Sequence, residues 1–171
     1  MALLFQYGSN TLAERLNSDE RLCGDARDLG LATTIDAFEL SFDVWSKKGQ
    51  YAASNLRPNI GRRIIGVLYE VPDFLIARET AKPRGRKSMD QIEGPNYERR
   101  TISVERLNGE HVEALTYLVK EPIDGLLTSF EYAGYIVEGL RGHDAPGEYV
   151  NYVKERAIAN NPALANELAE I

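Results

Sequence analysis

The hydrophobic periodicity of this chain changes once, close to Thr128, and the change limits which folds are possible. After Thr128, apolar residues recur at helical spacing up to Gly142, and two more helices are predicted to begin at Pro146 and Pro162. Before it, β-branched and aromatic residues form runs that predict strands at Ala32–Phe42, Arg62–Val71, Tyr97–Leu107 and His111–Lys120. Strands first and helices last predict an α+β fold with a mostly antiparallel, barrel-like sheet flanked by helices.

The connections between these predicted strands differ in character. Asn108-Gly109 joins the last two strands and is typical of a tight β-hairpin. The small residues between Tyr51 and Asn59 suit close packing beside a cavity. A basic loop, Lys82–Ser88, lies between the predicted strands Arg62–Val71 and Tyr97–Leu107.

Length and charge narrow the function classes. A chain of 171 residues predicts a single domain, residues 1–171. The net charge of −6 argues against general binding to nucleic acid or to a membrane surface. Cys23 is the only cysteine, so no intrachain disulfide can form. No segment has the layout of a signal peptide or of a membrane span, which favours the cytoplasm.

A strand is predicted to end at a polar turn close to the N-terminus. The apolar run from Leu3 leads into Tyr7-Gly8-Ser9-Asn10, and the pattern after that turn looks helical. Such a junction exposes several backbone N–H groups in one concavity, which attracts carboxylates and developing oxyanions. The same pattern also fits an ordinary helix cap formed by Ser9 or Asn10.

A second candidate segment is Met89–Gly94, which lies between the basic loop and a predicted strand. Glu93 comes just before Gly94, and this position suits the mouth of a cavity. Carboxylates before a turn are usually solvated, so this pattern alone does not establish a site.

Together these segments resemble the γ-glutamylcyclotransferase-like family. Tyr7-Gly8-Ser9-Asn10 is similar to its Y-G-S-N signature, and Asp90-x-x-Glu93-Gly94 followed by Tyr97 is similar to its D-x-x-E-G element. The order and spacing of further segments agree as well: Gly66–Pro72, Tyr97–Val104, Tyr135–Gly139 and Pro146–Tyr149. Thr11 replaces the usual Leu, and the basic loop is longer than the family pattern.

The resemblance implies an enzyme that cyclises a γ-glutamyl amide to 5-oxoproline and releases an amine or amino acid. It implies that Glu93 is the general base and then the general acid, and that the loop of Tyr7, Gly8, Ser9 and Asn10 binds the glutamyl group. Tyr97 and Tyr149 are further candidates for contact with the substrate. No metal or organic cofactor is expected, the partner is a small γ-glutamyl molecule, and a homodimer is possible.

Two other interpretations stay open. The chain could be a non-catalytic binding module for a small γ-glutamyl or acidic metabolite, although the candidate base is intact. A nucleic-acid contact through Lys82–Lys87 is a weaker hypothesis. His111 and His143 lack a metal-ligand pattern, and Cys23 lacks a catalytic one. The sequence also leaves open which γ-glutamyl compound would be the substrate.

Overall fold

The computed structural model describes residues 1–171 apart from the side chain of Asn59, at the end of the predicted small-residue segment. The strands are β1 (Ala2–Gln6), β2 (Arg27–Ser46), β3 (Tyr51–Val71), β4 (Tyr97–Arg106) and β5 (His111–Val119). The α-helices are α1 (Ala13–Leu16), α2 (Met89–Glu93), α3 (Phe130–Gly142), α4 (Gly147–Asn160) and α5 (Ala165–Ala169). Short 3₁₀ helices occupy Ser9–Thr11, Asp73–Leu75 and Pro162–Leu164.

The five strands close into a barrel in the order β1-β3-β2-β4-β5. Neighbouring strands are antiparallel except for β1 and β5, which pair in parallel at Leu4 and Leu115 and close the sheet. The predicted α+β class and the mostly antiparallel, barrel-like sheet are therefore confirmed. The predicted hairpin at Asn108-Gly109 is confirmed too, since β4 and β5 pair on either side of it.

The ribbon formed by β2 and β3 is longer than the sequence indicates. Strand β3 begins at Tyr51, within the segment interpreted as small residues beside a cavity, and β2 extends on both sides of the predicted Ala32–Phe42. Their pairing shifts register at several points, one of them between Phe42 and Val44. Each shift interrupts the alternation of inward and outward side chains on which a strand prediction depends.

The helices after Thr128 cover the barrel with their apolar faces. In α3 these faces include Ala133, Ile136 and Leu140, all fully buried. This packing confirms the helical spacing read from the sequence. None of the helices in the described part of the chain has the length and apolar character needed to cross a bilayer.

Candidate active site

The polar turn, Tyr7–Asn10, directly follows β1 and lies at one end of the barrel. The turn continues into the 3₁₀ helix through hydrogen bonds from Thr11 N to Gly8 O (3.0 Å) and from Leu12 N to Ser9 O (3.3 Å). The N–H groups of Ser9 and Asn10 come before the first of these donors, so the helix does not use them. The Asn10 carbonyl oxygen accepts a hydrogen bond from the Tyr69 hydroxyl at 2.8 Å, which holds the turn in place.

Gly8 allows this turn to lie against β3 and α3. A Cβ atom at Gly8 would lie 2.3 Å from Ser54 Oγ and 3.3 Å from the hydroxyl of Tyr132. Those two groups are held together, because Ser54 N donates to the Tyr132 hydroxyl at 3.0 Å and Ser54 Oγ lies 2.8 Å from it. The turn therefore requires a residue without a side chain at this position.

Helix α2 presents Glu93 as its last residue. The helix begins with a capping box, in which Ser88 Oγ accepts from Gln91 N (3.2 Å) and Gln91 Oε1 accepts from Ser88 N (2.9 Å). It ends at Gly94, whose φ of 92° and ψ of 178° form a backbone conformation that side chains strongly disfavour. Local sequence thus fixes both ends of this short helix.

Asp90 ties α2 to the barrel wall. Its carboxylate accepts from Arg99 Nη1 at 3.0 and 3.1 Å and from the hydroxyl of Tyr117 at 2.7 Å. Arg99 belongs to β4 and Tyr117 to β5, so one side chain joins α2 to both strands. The orientation of Glu93, one helical turn further on, follows from this attachment.

Glu93 and the polar turn face the same narrow pocket, of about 30 Å³. Asn10 Nδ2 donates to Glu93 Oε1 at 3.4 Å and to Gln6 Oε1 at 3.1 Å. Burial raises the pKa of Glu93 to about 7, while Arg21, Arg15 and the hydrogen bond from Asn10 oppose the rise. A carboxyl group with this pKa can accept and return a proton near neutral pH.

Two hydroxyls of the pocket wall, those of Tyr7 and Tyr97, donate to backbone carbonyls. Tyr7 donates to Tyr117 O at 2.6 Å, and Tyr97 donates to Ser54 O at 2.7 Å. Burial raises the pKa of Tyr7 and of Tyr97, so both phenols are neutral at physiological pH. Asn10 Oδ1 is buried and, among the described residues, has no hydrogen-bond partner. The pocket therefore has aromatic walls and, among the described residues, one fully buried acceptor without a donor, Asn10 Oδ1.

Beyond Glu93 the pocket opens into a larger cavity of about 350 Å³, the outer chamber. Glu93, Asn10 and Tyr97 line both spaces and so stand at their junction. The basic and aromatic side chains that line the rest of the chamber are Arg15, Arg21, Trp45, Lys47, Lys48 and Tyr51.

The comparison with protein families agrees with this arrangement. Residues 4–136 match the family described as γ-glutamyl cyclotransferase, AIG2-like. The chain belongs to this family. The matched range includes the polar turn, α2 and all of the barrel except the first two residues of β1, and these elements build the pocket.

Solved structures share the fold of this AIG2-like chain. One, described as a γ-glutamyl cyclotransferase, has 21% identity and a TM-score of 0.73, over 90% of this chain and 86% of the other. An uncharacterized protein from Homo sapiens gives 22% identity and a TM-score of 0.73 over the same shares. YkqA from Bacillus subtilis gives 20% and 0.71, over 93% of this chain and 55% of YkqA. Among curated proteins, no relative matches significantly.

Six of the seven residues predicted for the site line one pocket in this family member. They are Tyr7, Gly8, Ser9, Asn10, Glu93 and Tyr97. Tyr149 is a correction: it is fully buried in α4, 5.6 Å from the ring of Tyr152 and 5.1 Å from Arg62 Cζ. In this structure its side chain packs in the core and does not line the pocket.

Sequence reasoning missed the rest of the lining. Those residues are Gln6, Ser54, Thr116, Tyr117 and Tyr132. Ser54 lies in the small-residue segment that was interpreted as suited to a cavity wall, so that pattern could have found it. The others lie on strands and a helix whose local patterns indicate only core positions.

Proposed function

We propose that this protein cyclises a γ-glutamyl amide to 5-oxoproline and releases an amine or amino acid. One observation supports this most directly: the Glu93 carboxyl group lies beside the turn of Gly8, Ser9 and Asn10, at the mouth of a narrow polar pocket. A proton acceptor and a set of backbone donors thus share one small space. Both are needed when an amine attacks an amide carbonyl.

In the proposed reaction, the α-amine of the substrate attacks its own γ-carbonyl carbon. Glu93 accepts a proton from the α-ammonium group, which frees the nitrogen lone pair to form the new C–N bond. The original amide C–N bond then breaks, and the protonated Glu93 gives its proton to the departing nitrogen. The second proton of the new ring nitrogen passes to the Glu93 carboxylate and from there to solvent or to the departing amine, which leaves a neutral lactam. A pKa of about 7 suits both transfers, because the carboxylate and the acid are both populated near neutral pH.

The polar turn would bind the charged groups of the substrate. The N–H groups of Ser9 and Asn10 can bind its carboxylate or the oxyanion that develops on the carbonyl. Asn10 Oδ1, which lacks a partner among the described residues, can accept from the α-ammonium group next to Glu93. Holding the glutamyl chain folded against the polar turn favours five-membered ring closure through proximity.

The decisive variant is Glu93→Gln, tested for 5-oxoproline release from a panel of γ-glutamyl substrates. The loss of acid–base assistance should lower kcat by about 10²–10⁴-fold. Glu110→Gln, an exposed position in the β4–β5 turn, is the matched control and should retain full activity. Normal turnover by a folded Glu93→Gln protein would exclude this mechanism. Calorimetric binding to the wild type without any product would instead favour the binding-module interpretation.

A further inference from the structure

The outer chamber carries a concentration of positive charge that the proposed ring closure does not use. Four cationic side chains line it, those of Arg15, Arg21, Lys47 and Lys48. Glu93, at its inner end, is the only carboxylate in the described lining. This local excess contrasts with the net charge of −6 on the whole chain.

Among the described residues, Arg21 and Lys47 are the two of these cations without a side-chain hydrogen bond or salt bridge, and of the two only Arg21 is partly buried. Its side chain is partly buried, and the described residues offer its guanidinium group neither a salt bridge nor a hydrogen-bond acceptor. Burial, followed by the charge of Arg15, lowers the pKa of Arg21, whereas Glu93 raises it. A partly buried guanidinium group without an anion is costly to maintain, so the site favours an anion from outside the chain.

Arg15 is held beside Arg21 by contacts that leave its charge uncompensated. Its Cζ lies 4.4 Å from the centre of the Tyr135 ring, and Nη2 donates to the Tyr51 hydroxyl at 3.5 Å. The adjoining groove is lined by the acidic residues Glu14, Glu20 and Glu131, and none of them forms a salt bridge with Arg15 or Arg21 among the described residues. Glu20 accepts from Lys48 Nζ at 2.6 Å, and Glu131 accepts from the Tyr135 hydroxyl at 2.6 Å.

The order of the inner pocket, Glu93 and the outer chamber indicates which part of a substrate would lie beside these cations. The narrow inner pocket has no cation in its described lining, and Glu93 stands between it and the outer chamber. Under the proposed function, only a polar end of the glutamyl group enters the narrow inner pocket, the rest lies against the polar turn, and the scissile nitrogen lies at Glu93. The group attached to that nitrogen then extends into the outer chamber, towards Arg21 and the half-exposed Trp45.

We infer that the outer chamber is a subsite for an anionic leaving group, and that Arg21, supported by Arg15, binds its carboxylate. The inference rests on the proposed function and narrows its substrate class to γ-glutamyl amino acids or peptides, in preference to γ-glutamyl derivatives of simple amines. A guanidinium group suits this role because its planar fork can bind a carboxylate through two hydrogen bonds.

The test uses two substrates that differ only in this carboxylate, γ-glutamylalanine and γ-glutamylethylamide. Both are assayed at about pH 8.5, where Glu93 is ionised and a change in its pKa has little effect on the rate. Arg21→Gln should lower kcat/KM for γ-glutamylalanine by about 10–100-fold and for γ-glutamylethylamide by less than about threefold. The matched control is Arg84→Gln, which removes one exposed positive charge from the basic loop and should change neither value.

An equal loss for both substrates would overturn the inference, because Arg21 would then act on the glutamyl group or on the fold. Unchanged values for both would overturn it as well. Should Arg21→Gln fail to fold, product inhibition of the wild type decides the question: free alanine must inhibit at least about tenfold more strongly than ethylamine.

Failure of the proposed function gives a different result. A wild-type protein that releases no 5-oxoproline from either substrate excludes the reaction but leaves the subsite testable. Calorimetry with the same two compounds then decides: tighter binding of γ-glutamylalanine that is lost in Arg21→Gln supports the anion subsite. Equal binding of the two compounds overturns it.

Discussion

Asn10 and Glu93 lie 83 positions apart in the chain, yet Asn10 Nδ2 donates to Glu93 Oε1 at 3.4 Å. The hydrogen bond joins the turn after β1 to the last residue of α2. It places the candidate proton acceptor next to the candidate backbone donors, so activity should depend on the geometry and the charge of this junction.

Activity should fall on the acidic side of neutrality. Burial raises the pKa of Glu93 to about 7, and the carboxyl group must be ionised to accept the first proton. We therefore expect kcat/KM to decrease as the pH falls through about 7, approaching a tenfold loss per pH unit. The measurement is a pH–rate profile with γ-glutamylalanine. A profile that stays flat down to about pH 5 would show that Glu93 is not the titrating base.

Arg21→Gln should move that acidic limb to higher pH. Arg21 lowers the pKa of Glu93, so its removal leaves the carboxyl group easier to protonate. We expect the midpoint for γ-glutamylethylamide to rise by several tenths of a pH unit or more, and Arg84→Gln should leave it in place. A midpoint that moves to lower pH would contradict the position of Arg21 in the chamber.

Glu93→Gln should stabilise the fold at high pH while it removes activity. The pKa of Glu93 rises from 4.5 to about 7 on folding, so the folded state favours the protonated form. The wild type therefore loses stability relative to the variant as the pH rises from about 4.5 through 7, by about 3 kcal/mol in all. Urea unfolding at about pH 4 and pH 8 measures the difference. If the variant and the wild type differ in unfolding free energy by the same amount at both pH values, folding does not raise the pKa of Glu93.

Gly94→Ala should disturb the end of α2. The backbone at Gly94 has a φ of 92°, so a side chain there costs about 1–3 kcal/mol or forces the helix end to move. Because Glu93 is the preceding residue, kcat should fall along with stability. Gly142→Ala, where an added Cβ meets no atom within 4 Å, is the control for Gly→Ala in this protein. Similar effects of the two substitutions on kcat would argue against a special role for the α2 terminus.

Gly8→Ala should displace Ser54, and a second substitution should relieve the displacement. The added Cβ would lie 2.3 Å from Ser54 Oγ, and overpacking of this kind costs about 1–3 kcal/mol. Ser54→Ala removes that oxygen, while the hydrogen bond from Ser54 N to the Tyr132 hydroxyl can persist. A double-mutant cycle in urea should therefore give a favourable coupling energy of about 1 kcal/mol or more. Simple additivity would show that the turn has another way to accommodate Ala.

Local patterns predicted much of this fold because local chemistry sets those features. Asn108-Gly109 fits the hairpin between β4 and β5 through turn geometry, and the spacing of residues after Thr128 fits the buried face of α3. Helix α2 was missed because five residues are too short to show periodicity. Its capping box, Ser88 with Gln91, was the available signal.

The true length of β2 and β3 depended on contacts that local patterns do not carry. Ala52, Ala53 and Ser54 have weak strand preference, but β2 pairs with them and they are buried. Register shifts also interrupt the alternation that would have marked a strand of this length.

By itself, the sequence determined the fold class, the family resemblance and six of the pocket residues, since turn glycines, caps and short motifs are properties of adjacent residues. Tertiary structure alone decided that Tyr149 is a core residue and that Arg15 and Arg21 line the outer chamber. It also decided that the side chain of Asn10 donates to Glu93. Closure of the barrel, with β1 between β3 and β5, brings these distant segments together, and the residues next to them in the chain carry no information about that contact.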